Sequence, residues 1–132
     1  MIEVAAGVVL NGKGQMLICQ RTGELEGLWE FPGGKRETGE SFAKCLVREL
    51  WEELCLRATV EHELCRMTFV GEGKEILFSF CLARAEMEAS IMMKVHRDVR
   101  WVTQKELNQY PLCPADAEFV KRGGLCGLAE CF

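Results

Sequence analysis

Residues 34–56 read GKRETGESFAKCLVRELWEELCL, and this stretch decides how the rest of the chain is read. From 41 to 54 the pattern predicts a helix. Ser41 is a suitable N-cap, and Ala43, Leu46, Val47, Leu50 and Leu54 recur at helical spacing as one apolar stripe. Glu49, Glu52 and Glu53 stand at i, i+3 and i+4, so they share a helix face, expected to lie away from the leucines. Like charges at these spacings cost about 0.2–0.5 kcal/mol per pair. A divalent cation reverses that cost, and magnesium commonly bridges carboxylates to substrate phosphates. On the three glutamates alone, a solvated acidic face with Lys44 and Arg48 as neighbours is the simpler account. Gly33-Gly34 just upstream reads either as a turn or as a place where backbone approaches a ligand closely.

Working outward, residues 3–10 and 16–21 read as two strands joined by a tight turn at Asn11-Gly12-Lys13-Gly14. Residues 22–28 are loop. Residues 29–31 form a short strand stopped by Pro32-Gly33-Gly34. Residues 58–70 and 75–85 are strands around the hairpin signal Gly71-Glu72-Gly73-Lys74. Residues 86–98 read as loop and 99–102 as a last strand. Thr103 and Glu106 form a capping box for a short helix that Pro111 ends. A final helix is expected over 115–122, closed by Gly123-Gly124. Strands with one strong middle helix and one late helix point to a mixed α/β sandwich of one domain, residues 1–132.

The composition narrows the function classes. With 132 residues, 48% apolar and 27% charged, the chain suits one hydrophobic core and is not disordered. A net charge of −4 leaves no electrostatic footprint for a nucleic acid polymer, although a metal ion supplies positive charge locally for a small phosphorylated substrate. No run approaches the roughly 20 apolar residues of a membrane span. Met1-Ile2-Glu3-Val4 lacks the basic region of a secretory signal. None of the eight cysteines forms a C-x-x-C pair, which argues against structural zinc. The expectation is a cytoplasmic protein with reduced thiols, several of them small buried hydrophobes, acting as a monomer or homodimer.

Taken whole, the central stretch resembles the Nudix box, G-x5-E-x7-R-E-U-x-E-E-x-G-U, where U is a bulky aliphatic residue. Gly34, Glu40, Arg48, Glu49, Leu50, Glu52, Glu53 and Leu56 fall at its positions, and Cys55 replaces its second glycine. The flanking residues 27–35, GLWEFPGGK, and Pro114-Ala115-Asp116 resemble the MutT-type branch of the family, which hydrolyses nucleoside triphosphates. The resemblance implies an α/β/α sandwich with a mixed sheet and a catalytic loop–helix–loop. It implies hydrolysis of a nucleoside triphosphate, with an ordinary or oxidised base, to the monophosphate and pyrophosphate. Nucleotide sugars, ADP-ribose and dinucleoside polyphosphates are the alternative substrates, and a non-catalytic nucleotide-sensing module is the alternative class.

Residue by residue, the resemblance makes Glu49, Glu52 and Glu53, with the carbonyl of Gly33, ligands of Mg²⁺, for which Mn²⁺ can substitute. Glu49 also matches a general base, and Arg48 a residue that orients a glutamate. Glu40 fits the box, with fixing the loop as its expected main role. Arg21 resembles a phosphate contact and reads equally as a surface arginine at a strand end. Asp116 resembles a residue that reads the base edge; otherwise it is a first-turn acid favoured by the helix dipole. Phe78 and Phe80 stack on a base or simply fill the core.

Two departures bear on the chemistry. If the box glycine needs positive φ, Cys55 carries strain of about 1 kcal/mol or more. Many MutT-type chains place a metal-assisting glutamate ahead of the last strand, in an E-H-x-x-x-x-W pattern that puts Val95 at the glutamate and His96 at the histidine. Asp98, Glu72 or the box alone is left to supply that function.

Overall fold

The computed structural model describes residues 1–71, 73–86 and 90–128, so Glu72 and Cys131 lie outside the described residues. Its elements run β1 (Ile2–Leu10), β2 (Met16–Gln20), β3 (Trp29–Glu30), β4 (Gly33–Lys35), α1 (Phe42–Leu54), β5 (Ala58–Gly71), β6 (Lys74–Ala85), β7 (Asp98–Val102), a 3₁₀ turn at Glu106–Gln109, and α2 (Pro114–Lys121).

The sheet is mixed. β1 and β6 pair in parallel from Ile2–Ile76 to Leu10–Arg84, and the other strand pairs are antiparallel. Strand alternation splits the core into two layers. Ala6, Val8 and Leu10 of β1 face the side where Phe119 of α2 packs. Ala5 and Val9 face the other side, against Leu46, Leu50 and Leu54 of α1. The result is the α/β/α sandwich expected from the sequence.

One feature of the sheet makes the site. β6 occupies one edge of β1 along its whole length. On the other edge β2 pairs only at Leu10–Met16, while β4 pairs at Val4–Lys35, Ala5–Gly34 and Ala6–Gly33. β2 and β4 thus share an edge and splay apart. Pro32-Gly33-Gly34 does not end the strand pairing, contrary to expectation, because the diverging β2 leaves the start of β1 free for β4. Gly33 lies so close to β1 that a Cβ there would collide with the carbonyl of Ala5.

Helix α1 begins as expected, with Lys44 N–H donating to Ser41 Oγ at 3.1 Å. Its orientation differs. The buried arc carries Cys45, Leu46, Leu50 and Leu54, whereas Ala43 and Val47 are exposed. Glu49 and Glu53 therefore lie beside the buried arc rather than opposite the leucines. Trp51 takes the solvent side, with the Arg57 guanidinium 4.3 Å above its ring. The capping box is present in both directions, Thr103 N–H to Glu106 Oε1 and Glu106 N–H to Thr103 Oγ1. No helix among the described residues is long and apolar enough to cross a membrane.

Candidate active site

The splay between β2 and β4 opens a cleft of about 760 Å³, a size suited to a small molecule. Glu49 and Glu53 reach it from α1, Arg21 from just past the end of β2, Glu30 from β3, and Asp116 from the first turn of α2.

Arg48 organises the acidic end. Its Nε and Nη2 form a fork on Glu40, at 3.0 and 2.7 Å. Nη1 donates to Glu49 Oε1 and to Glu52 Oε2, both at 2.9 Å, and Nη2 also reaches Lys35 O at 3.0 Å. One guanidinium thereby ties the loop before the helix to the helix itself, a role a planar fork suits. The bond from Arg48, helped by the Glu37 N–H, holds the Glu40 carboxyl down at about 2.

The three box glutamates are not equivalent. Glu49 and Glu53 line the cleft; Glu52 is 54% exposed and held outside by Arg48. Burial, then the Glu49 charge, pushes Glu53 up to about 7, while His96 pulls it down. Among the described residues no three acidic, histidine or cysteine side chains converge as a ready cage. The donor set nevertheless fits a hard divalent ion. Magnesium takes one or two carboxylates plus substrate oxygens rather than a full protein cage, and the crowded Glu49–Glu53 pair supplies such carboxylates. Gly33 and Gly34 border the same spot, and a Cβ on Gly34 would occupy the place of the Glu49 carboxyl group.

At the other end, Asp116 is 5% exposed and accepts the Phe31 N–H at 3.0 Å. Burial pushes its carboxyl up to about 8, against the pull of that N–H. Phe78 borders the cleft. Phe80 does not: it is fully buried between Phe119, stacked 4.0 Å away, and Phe78 at 5.6 Å. Its rings' faces are taken, so Phe80 is core and not a base platform.

Arg21 borders the cleft but is engaged, donating from Nη1 to Glu30 Oε1 and from Nε to Glu24 O, both at 2.9 Å. Glu30 in turn contacts His96 Nε2 through Oε2 at 3.3 Å. Neither Glu30 nor His96 stood out in the sequence as a site residue. The available signal was period-two alternation: Trp29 and Phe31 are buried on one side, which sends Glu30 to the other. Asp98 is turned to Val99 N–H and Arg100 Nε and does not border the cleft, and Val95 is half exposed. The seven described cysteines are free, with Cys19, Cys45, Cys81 and Cys113 buried.

Residues 1–123 match the NUDIX domain. The chain belongs to the Nudix family. It is 36% identical to the CTP pyrophosphohydrolase of Escherichia coli K12, over 88% of this chain and 86% of that one. It is 35% identical to the 8-oxo-dGTP diphosphatase of Haemophilus influenzae, over 92% of this chain and 90% of that one. The solution structure of the E. coli ORF135 protein superposes with a TM-score of 0.80 at 33% identity, covering 96% of this chain and 91% of that one. As a Nudix hydrolase, the chain carries the family's box as the loop–helix of residues 34–56, with Arg48 at its centre and the cleft beside it.

Proposed function

We propose that this Nudix hydrolase is a Mg²⁺-dependent, MutT-like nucleoside triphosphate pyrophosphohydrolase of a single domain, releasing a nucleoside monophosphate and pyrophosphate. One observation carries the reading. A single cleft holds the Glu49–Glu53 carboxylate pair at one end and the buried, polar Asp116 beside Phe78 at the other. That spacing of chemistries suits a ligand with phosphates at one end and a base at the other. The names of the CTP- and 8-oxo-dGTP-cleaving relatives support the same substrate class.

In this reading Glu49, Glu52, Glu53 and the Gly33 carbonyl are the groups that would hold the metal. A bound divalent ion would lower the pKa of the attacking water and offset charge growing on the phosphate oxygens. Glu49, fixed by Arg48, accepts the proton of the water that attacks phosphorus, as one phosphoanhydride bond breaks and a P–O bond to the water oxygen forms. Arg21 grips the phosphate chain, and Asp116 reads the base edge. The carboxylates act on phosphates that every nucleotide carries, so discrimination among bases falls to the Asp116 end.

The test is turnover of a panel of nucleoside triphosphates, nucleotide sugars and dinucleoside polyphosphates with and without Mg²⁺. The expectation is that triphosphates lead, that EDTA abolishes turnover, and that Glu53→Gln lowers kcat by orders of magnitude with the fold intact. Full activity in chelator, or faster cleavage of a nucleotide sugar than of any triphosphate, defeats the reading.

A further inference from the structure

Glu30 is a carboxylate inside a cleft read as binding phosphates, where a free negative charge would repel the ligand. It is not free. Oε1 accepts from Arg21 Nη1 at 2.9 Å, and Oε2 is 3.3 Å from His96 Nε2. The His96 side chain is 5% exposed, and its buried Nδ1 has no hydrogen-bond partner among the described residues. A position needed only for packing is better filled by an apolar side chain, because an orphaned polar atom costs free energy. A carboxylate only accepts hydrogen bonds, so the contact has His96 Nε2–H donating to Glu30 Oε2. Among the described residues, Glu30 is the group to which the buried imidazole hydrogen-bonds.

The backbone reinforces this arrangement. Arg97 N–H donates to Gln20 O at 2.9 Å, and Thr22 Oγ1 donates to Val95 O at 3.1 Å, so the segment carrying His96 is clamped to the strand end carrying Arg21. Glu30 lies on β3, which pairs with β2 at Cys19–Glu30. Because β2 pairs with both β3 and β7, Glu30 on β3 meets Arg21, just past the end of β2, and His96, just before β7. Arg21 Nε is anchored on Glu24 O, and among the described residues Nη2 has no partner. The guanidinium is fixed on two donors and presents a third.

We propose that Glu30 is a positioning residue: held by His96, it aims Arg21 at the phosphate chain of a nucleotide substrate. This rests on the reading of Arg21 as a phosphate contact. Glu30 neither touches the substrate nor takes the place of the loop glutamate missing at Val95. Removing it leaves Arg21 charged and present but without a fixed direction.

A double-mutant cycle tests this, using wild type, Arg21→Ala, Glu30→Ala and the double variant at saturating Mg²⁺, with Glu30→Gln beside them. The same cycle is read as the Kd of a non-hydrolysable nucleoside triphosphate analogue, which needs no turnover. Losing an aimed charged contact is expected to raise KM and Kd about tenfold or more while kcat changes less than about twofold. Arg21→Ala and Glu30→Ala should each do this, the double variant should be no worse than Arg21→Ala, and Glu30→Gln, which keeps an acceptor oxygen for Arg21, should recover part of the loss. Melting curves identify a Glu30→Ala protein that has unfolded, and Glu30→Gln then carries the comparison. Additive losses overturn the proposal, as does a fall in kcat with a raised Mg²⁺ requirement, which would make Glu30 a metal-facing carboxylate. If Arg21→Ala leaves KM and Kd unchanged, the phosphate-contact reading fails and the proposal falls with it. If Arg21→Ala weakens binding while Glu30→Ala does not, Arg21 stands and only the positioning role is refuted.

Discussion

The carboxyl group of Glu49 fills the space that a side chain on Gly34 would need. The glycine is required here by proximity to another residue's functional group, not by an unusual φ. Gly34→Ala is therefore expected to push the Glu49 carboxylate out of place while β4 keeps its pairing with β1. A misplacement of about 1 Å costs about 100-fold in rate where geometry is decisive. The measurement is kcat at saturating substrate beside a thermal melt. A fall in kcat of tenfold or more, with little change in melting temperature, is the expected result, and full activity in Gly34→Ala would show that Glu49 does not work from its present position.

The Arg48–Glu40 fork gives a pH prediction. The Arg48 bond holds the Glu40 carboxyl at about 2, below the roughly 4.3 of an unfolded chain. A group with a depressed folded pKa contributes stability that is present above the unfolded value and lost as pH falls through the folded one. Wild type should thus lead Glu40→Gln in melting temperature at pH 6, and the lead should shrink between about pH 4 and pH 2. Arg48→Lys should lose both the fork and the Glu49 contact, because an ammonium cannot serve Glu40 bidentately while reaching Glu49. It should therefore lower kcat as well as stability, while Glu40→Gln acts mainly on stability. A pH-independent gap between wild type and Glu40→Gln would remove Glu40 as an anchor of the loop.

The helix and its N-cap, the capping box at Thr103 and the β5–β6 hairpin were legible because each rests on local chemistry: a side-chain acceptor three residues from an orphan N–H, or a fixed hydrophobic period. What was not legible depends on how elements dock. Ala43 and Val47 match the apolar stripe, yet α1 turns so that Cys45 is buried and Glu49 and Glu53 face the cleft. The rotation follows from the position of β4, whose strand character is invisible in Pro32-Gly33-Gly34 because it arises from an edge that β2 vacates. Phe80 looked like a candidate stacking residue because alternation marks a face without saying which layer covers it, and Phe119 covers it. Glu30 and His96 are far apart in the chain and meet only because β2 pairs with both β3 and β7.

Cys55 stands in the left-handed region, φ 51° and ψ 33°, where the family's box has glycine. Its N–H still bonds Trp51 O at 3.0 Å, and Leu56 N–H reaches back to Leu50 O at 3.2 Å, so the helix end is closed despite the strain. A left-handed conformation costs a residue with a Cβ about 1–2 kcal/mol, and glycine's greater freedom in the unfolded chain offsets part of that. Cys55→Gly should accordingly raise stability by about 0.5–1 kcal/mol with kcat unchanged. Urea midpoints of the two proteins decide it: a destabilised Cys55→Gly would mean that the half-buried thiol contributes more by packing than its backbone costs.

Asp116 gives the prediction that separates base reading from a plain helix-start acid. Burial raises its carboxyl to about 8, above the roughly 3.9 of an unfolded aspartate. Such a group contributes stability that is fully present below the unfolded value and is lost as pH rises through the folded one. Asp116→Asn keeps an oxygen for Phe31 N–H and has no charge to bury, so its stability relative to wild type should rise from about pH 4 to pH 8 and then level off. The same titration bears on specificity. A neutral carboxyl offers one O–H donor and one acceptor, which matches the acceptor–donor edge of cytosine; an ionised one only accepts, which matches the two N–H donors on the edge of guanine. If Asp116 contacts the base, the cytosine-to-guanine ratio of kcat/KM should fall as pH rises through about 8. The full swing should be about 5- to 150-fold, the worth of one mismatched buried polar group. In Asp116→Asn, whose amide does not titrate, the ratio should be flat with pH. A flat ratio in wild type, accompanied by the predicted change in stability, would leave Asp116 as a buried support for Phe31 N–H and place base recognition on other groups of the cleft.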